Sequence, residues 1–170
     1  MDSSVGSFGG VYEAMIHFAI CKNARGQAEI SSERAYLEEL AFWCESAPDG
    51  SDRFNFNGHF AELKAVSQHR VGELEVALLG KGFLSRHGRG FRFNYQKYYF
   101  LAAFLRSNPN RQGVKEYIAN LILKCWNEDF ANTALFLSYL QPSSFLIEAL
   151  LAEVKSLFAT HQEFDVSGWK

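Results

Sequence analysis

The chain has 170 residues, of which 48% are hydrophobic and 15% aromatic, with a formal net charge of −2. This length and apolar content can supply one packed core or two small ones, and they exclude a disordered tail. Near-neutral charge removes any argument from total charge for a nucleic-acid partner or acidic substrate, and three scattered cysteines without a CxxC pair imply reduced, buried thiols, not a disulfide framework.

The opening MDSSVGSFGG, residues 1–9 of which are expected to be flexible, lacks the basic and apolar regions of a secretory signal. VYEAMIHFAICK spaces Val11, Met15, Ile16, Phe18 and Ala19 for a helix over about 10–22. Ser31 or Ser32 is placed to cap a second helix, with Glu33 near its positive end and Tyr36, Leu37, Leu40, Ala41 and Trp43 along it. APDGSDR reads as a loop turning at Pro48, Asp49 and Gly50. FNFNGHFAELKAV starts extended and turns helical from about Gly58, and VGELEVALLG is a helix from Val71 to Gly80 with Leu74, Leu78 and Leu79 inward.

GFLSRHGRGFRF sets two alternating aromatic segments around RHGRG, the pattern of a β-hairpin. From Tyr95 to about Phe158 the chain reads as helices separated by SNPN, a break near NED, and QPSS. Leu146, Leu150, Val154, Leu157 and Phe158 stripe the last of them. Charges interrupt every apolar run well before the roughly 18 to 20 residues of a membrane helix, so a soluble, cytoplasmic protein is expected. The expected fold is mainly α. A winged-helix-like helical unit with one β-hairpin occupies 10–94, a helical bundle or short helical-repeat segment 95–160, and a tail 161–170.

Charge is unevenly distributed. Residues 1–79 hold six Lys/Arg against twelve Asp/Glu, residues 80–115 eight against none, and residues 116–170 three against seven. The basic island comprises Lys81, Arg86, Arg89, Arg92, Lys97, Arg106, Arg111 and Lys115, with His87 in the hairpin turn. Lys81, Arg86, His87, Arg89, Arg92 and Lys97 are the candidate contacts for a protein partner or for nucleic-acid phosphate. The plainer reading makes them the solvent side of elements whose other side is Phe and Tyr.

The stretch FRFNYQKYYFLAAFLR switches from strand-like to helix-like period. Phe91, Phe93, Tyr95, Tyr98, Tyr99 and Phe100 are therefore expected to form a structural hinge, and helical spacing favours packing over base stacking for the tyrosines. Chemistry is sparse. The histidines at 17, 59, 69, 87 and 161 make no HxxxH or HExxH pair, and Cys21 four residues after His17 reads more simply as a core thiol beside a packed imidazole than as two metal ligands. No GxSxG or GxxxxGK[ST] occurs, and the adjacent carboxylates Glu38/Glu39 and Glu128/Asp129 diverge on a helix. No catalytic, cofactor-binding or metal residue is assigned, and an enzyme is not expected.

FRFNYQKYYFLAAFLR resembles the segment that follows the ATPase core in bacterial STAND proteins, the signal-transduction ATPases with numerous domains, many of which act in antiviral defence. There a winged-helix hairpin ends in an aromatic strand and runs directly into a helix of the form F-x-[FY]-x-Y-x-x-[YF]-[YF]-F-x-A-x-[YF]-L. Phe91, Phe93, Tyr95, Tyr98, Tyr99, Phe100, Ala102, Phe104 and Leu105 fill those positions. VYEAMIHFAICK, VGELEVALLGKGFL and NEDFANTALFLSYLQPSSFLIEALLAEVKSLF are similar to flanking helices of the same proteins, so the resemblance covers about residues 9–158. It implies a non-catalytic regulatory, oligomerisation or protein-interaction module whose partner is an ATPase or effector chain, or a second copy. The Walker A and B elements of the family are missing. Where related receptors carry a phosphate-sensing histidine, this chain offers Tyr95, with His87 in the turn nearby. The alternative from another class is a winged-helix protein that binds nucleic acid through the basic hairpin.

Overall fold

The computed structural model describes residues 8–46, 53–86 and 90–141, and beyond them only the helical positions 148, 151, 152 and 155. Among the described residues there are seven helices: α1 (Phe8–Cys21), α2 (Gln27–Ser46), α3 (Arg53–Lys64), α4 (Gln68–Gly80), α5 (Asn94–Ser107), α6 (Val114–Leu123) and α7 (Glu128–Leu140). All five residues of the stripe expected between Leu146 and Phe158 lie outside the described residues.

At the centre is α5. Every residue from Tyr98 to Leu105 is buried, and a helix apolar on all sides must be enclosed by others. Helix α2 packs on one side of it and α7 on the other, while α1 lies against α7 and α2, and α3 and α4 close over α2. Aromatic rings fill the joints. Phe42 of α2 stacks on Phe104 of α5 at 4.5 Å, and Tyr12 of α1 reaches Tyr99 at 5.5 Å and Phe136 of α7 at 5.0 Å. One buried cluster thus runs from Ile16 to Leu137, across the boundary expected near residue 94.

Helix α1 matches its expected span, but its faces are sorted differently. Ile16 and Ile20 are buried, whereas Val11, Met15 and Phe18 are exposed. Helix α2 begins at Gln27, upstream of either expected cap, because the Glu29 carboxylate accepts the backbone N–H of Arg25 at 2.7 Å and the Gly26 carbonyl accepts from Glu29 and Ile30. Ser32 consequently sits inside the helix and donates its hydroxyl to Ala28 O at 2.8 Å.

Helix α3 starts at Arg53, where an extended stretch is expected. Phe56 and Phe60, one turn apart, both pack on Tyr36 at 5.1 Å, a pairing that an alternating strand could not make. Helix α4 starts three residues earlier than expected, with the Ser67 hydroxyl accepting the N–H of Arg70 at 3.3 Å.

The expected β-hairpin shrinks to a single bridge between Leu84 and Phe91, and no strand forms among the described residues. Two backbone bonds support it, Arg92 N–H to Phe83 O at 2.9 Å and Ser85 N–H to Gly90 O at 3.2 Å. Gly82 and Gly90 take positive φ values of 80° and 65°, which break the extended path on both sides. Helix α5 then begins at once. The side-chain carbonyl of Gln96 accepts the Phe93 N–H at 3.3 Å, so the next donor along is used to start the helix and not a ladder. Cys44 of α2 lies under this turn, its sulfur 3.6 Å from where a Cβ on Gly90 would stand.

Candidate functional site

Half of the basic island is turned inward. Lys81, at the end of α4, donates to both carboxylate oxygens of Glu33 at 2.8 and 2.6 Å and to the carbonyl of Ile20 at 2.6 Å. Both side chains are buried, at 8% and 1% exposed. Lys97 of α5 lies 2.9 Å from Glu45 and 3.6 Å from Asp129. Arg111, before α6, donates to Glu39 at 2.6 Å while its guanidinium rests on the rings of Phe42 and Phe104. Arg106 donates to the carbonyl of Leu140 at 3.0 Å.

Three of these acids, Glu33, Glu39 and Glu45, stand at six-residue intervals on α2. Six residues rotate a helix by about 240° beyond a full turn, so the three carboxylates are spread around its circumference. Each is met by a cation from a different part of the chain, and α2 is clamped from three directions. The charge imbalance between residues 1–79 and 80–115 is therefore, in good part, complementarity within the molecule. Sequence reasoning singled out the cations, but it set Glu33 at a helix start and Glu39 in a diverging pair with Glu38, and it paired neither of them, nor Glu45, with a cation; Glu33 and Glu39 are instead buried. The six-residue spacing of the three acids, which puts an acid on each side of a helix that also buries Tyr36, Leu37, Leu40 and Ala41, is the signal that could have found them.

Around Lys97 a second network forms. Tyr98 Oη donates to Asp129 Oδ1, and Tyr117 Oη donates to Glu45 at 3.2 Å. Burial, then the hydrogen bond and charge of Asp129, push the Tyr98 phenol well above its ordinary range. Burial and then the Glu45 charge do the same for Tyr117. For Lys97 burial opposes the charged form, but the Glu45 hydrogen bond and the charges of Glu45 and Asp129 prevail and raise its pKa.

What remains for an outside partner is narrower than the list of candidates. Lys81 and Lys97 are committed to internal pairs. His87 and Arg89 lie outside the described residues. Arg86 and Arg92 are exposed, form no ion pair with a described carboxylate, and share a groove of about 560 Å³ with Leu79, Gly82, Leu84 and Ser85.

The aromatic candidates divide likewise. Phe91 stacks on Phe100 at 5.9 Å, and Tyr98, Tyr99 and Phe100 are core. Phe93 and Tyr95 are 43% and 46% exposed and stack face to face at 5.4 Å.

The thiols are not the buried ones expected. Cys44 is exposed, and Cys21 and Cys125 are half-buried. His17 is exposed, 3.4 Å from the sulfur of Cys21, because residues 17 and 21 lie at the edge of the α1 face that meets the core. Among the described residues no group of three or more His, Cys, Asp or Glu is gathered as metal ligands. Nor is any described helix long and apolar enough to cross a membrane. No family model, curated protein or solved structure matches the chain.

Proposed function

We propose that the chain is a non-catalytic regulatory, oligomerisation or protein-interaction module of a STAND-type antiviral-defence system, a winged-helix-like unit joined to a helical one and working in the cytoplasm. The observation that carries this reading is the joint formed by residues 82–86 and 90–94. Four helices lead into the Leu84–Phe91 bridge, which enters α5 with no linker, and Phe83 and Phe91 of the two arms both rest on Phe100. Displacement of the bridge would be felt by α5 and, through it, by α2 and α7. Helix α1 adds support, since Val11, Met15 and Phe18 leave an apolar stripe open on the outside, as a docking helix requires.

The test is biochemical. Purified chain is examined by size-exclusion chromatography with light scattering, and used to pull down the products of adjacent reading frames, a P-loop ATPase foremost among them. Self-association or capture of such a product is expected; a chain that stays monomeric and captures none of them sinks the reading.

Exposure of Arg86 and Arg92 keeps nucleic-acid binding as the second reading. It predicts affinity for DNA or RNA that falls steeply with salt and disappears in the triple variant Arg86→Ala, Arg89→Ala, Arg92→Ala. Binding that is absent or indifferent to salt eliminates it.

A further inference from the structure

We propose that Arg92, stacked on Phe93 and seated against Gly82, forms with Arg86 a receptor for the carboxylates of an acidic segment of a partner protein. This rests on the interaction-module reading and names the chemistry of its partner.

The case begins with how Arg92 is held. Its guanidinium carbon lies 5.1 Å from the centroid of the Phe93 ring. One of its terminal nitrogens also comes so near Gly82 that a Cβ there would sit 3.3 Å from it. Gly82 has φ +80°, a conformation that favours glycine for its own sake. The backbone turn and the absence of a side chain together make the slot in which the guanidinium lies. A guanidinium stacked on a ring keeps its in-plane N–H donors available, and that planar fork matches a carboxylate. Less rotamer freedom is lost on binding than for a loose surface arginine. Arg92 is therefore ordered in advance yet lacks a described carboxylate partner, in a stretch, residues 80–115, that contains no acid at all.

Three observations select a protein carboxylate over a nucleic acid. Phe93 is covered on one side by Arg92 and by Tyr95 in parallel at 5.4 Å with an interplanar angle of 7°, while Tyr12 meets Tyr95 at right angles, 5.6 Å away. A base that stacked on Phe93 would have to compete with Arg92 and Tyr95 for the ring. Secondly, half of the cations that could have tracked a phosphodiester backbone are withdrawn. Lys81, Lys97, Arg106 and Arg111 are all engaged within the fold, and a phosphate footprint needs a row of them. Thirdly, arginine beside exposed aromatic rings over a partly apolar groove, with Leu79 and Leu84 in its lining, is the composition of a protein–protein anchor point.

Fluorescence anisotropy of a labelled peptide, Glu-Glu-Phe-Glu-Glu, tests the site, with the Gln-for-Glu peptide, a twelve-residue oligo(dT) and inorganic phosphate as the other probes. Expected are saturable binding of the acidic peptide, none of the Gln peptide, and a loss of about tenfold or more for both Arg92→Ala and Arg92→Lys, since lysine keeps the charge but not the fork. Far-UV circular dichroism should be unchanged in both variants because Arg92 is exposed. Wild-type affinity in Arg92→Lys, equal binding of the Gln peptide, no binding of the acidic peptide, or tighter Arg92-dependent binding of the oligonucleotide or phosphate each overturn the proposal. If Arg92→Lys still captures an adjacent-frame product as well as the wild type does, the site falls while the module reading stands; if the wild type captures none and does not self-associate, the module reading falls on its own test.

Discussion

Lys81 and Glu33 show what a single pair can hold. The ammonium ties α4 to α2 and, through the Ile20 carbonyl, to the end of α1. Removing one partner leaves a buried charge unanswered, which costs about 3–5 kcal/mol, whereas replacing both by apolar side chains restores much of it. Urea unfolding should therefore show Lys81→Met and Glu33→Leu each strongly destabilised and the double variant more stable than either. Equal additive losses would show that the pair acts as two separate contacts.

The network at Lys97 makes a pH prediction. Tyr98 and Tyr117 bind their protons more tightly folded than unfolded, and Lys97 does the same. Stability from these groups is present in full below their unfolded pKa values, about 10, and is lost as pH rises above that. Urea midpoints should hold steady from neutral pH to about 9 and then fall, with a shallower fall for the double variant Tyr98→Phe, Tyr117→Phe. An identical alkaline slope in that variant would exclude these phenols as the cause.

Among the elements, α5 is the one on which the others are built. Phe100→Ala should cost about 3–5 kcal/mol by leaving a cavity among Phe83, Phe91 and Tyr99, while Phe93→Ala on the exposed rim should stay within about 1 kcal/mol. Thermal denaturation of the two variants separates them, and similar losses would mean that Phe93 supports the fold.

The helical half of FRFNYQKYYFLAAFLR was legible because Tyr98, Tyr99, Ala102 and Leu105 recur at helical spacing. Helix α3 was not legible: Phe54 and Phe56 alternate with asparagine as a strand would, and only the ring of Tyr36 from another helix decides the matter. The hairpin was over-read for a similar reason, since alternation around a glycine turn does not reveal that Gln96 will start a helix so soon. At the candidate site, Arg86 and Arg92 face outward as alternation suggests, but the withdrawal of Lys81 and Lys97 depends on acids 48 and 52 positions away, a difference of residue numbers that no local window contains.

For the molecule as a whole, the expected division near residue 94 has a sharp consequence. Phe42 stacks on Phe104, Arg111 pairs with Glu39, and Tyr12 lies on Phe136, so each half completes the core of the other. Fragments 1–93 and 94–170 made separately should lack a cooperative unfolding transition, and regain one when mixed or coexpressed. A sharp calorimetric peak from either fragment alone would establish two independent units.

The contact of Tyr12 with Phe136 also bears on synthesis. A helical protein ordinarily folds from neighbours outward and fast, but here α1 packs against α7, more than a hundred positions later in the chain. During translation α1 can meet α2 and α5 early, but the part of its inner face around Tyr12 that packs on Phe136 must wait until α7 has emerged from the ribosome. Nascent chains arrested before α7 should therefore be sensitive to protease and be held by chaperones, and those arrested beyond it should be released.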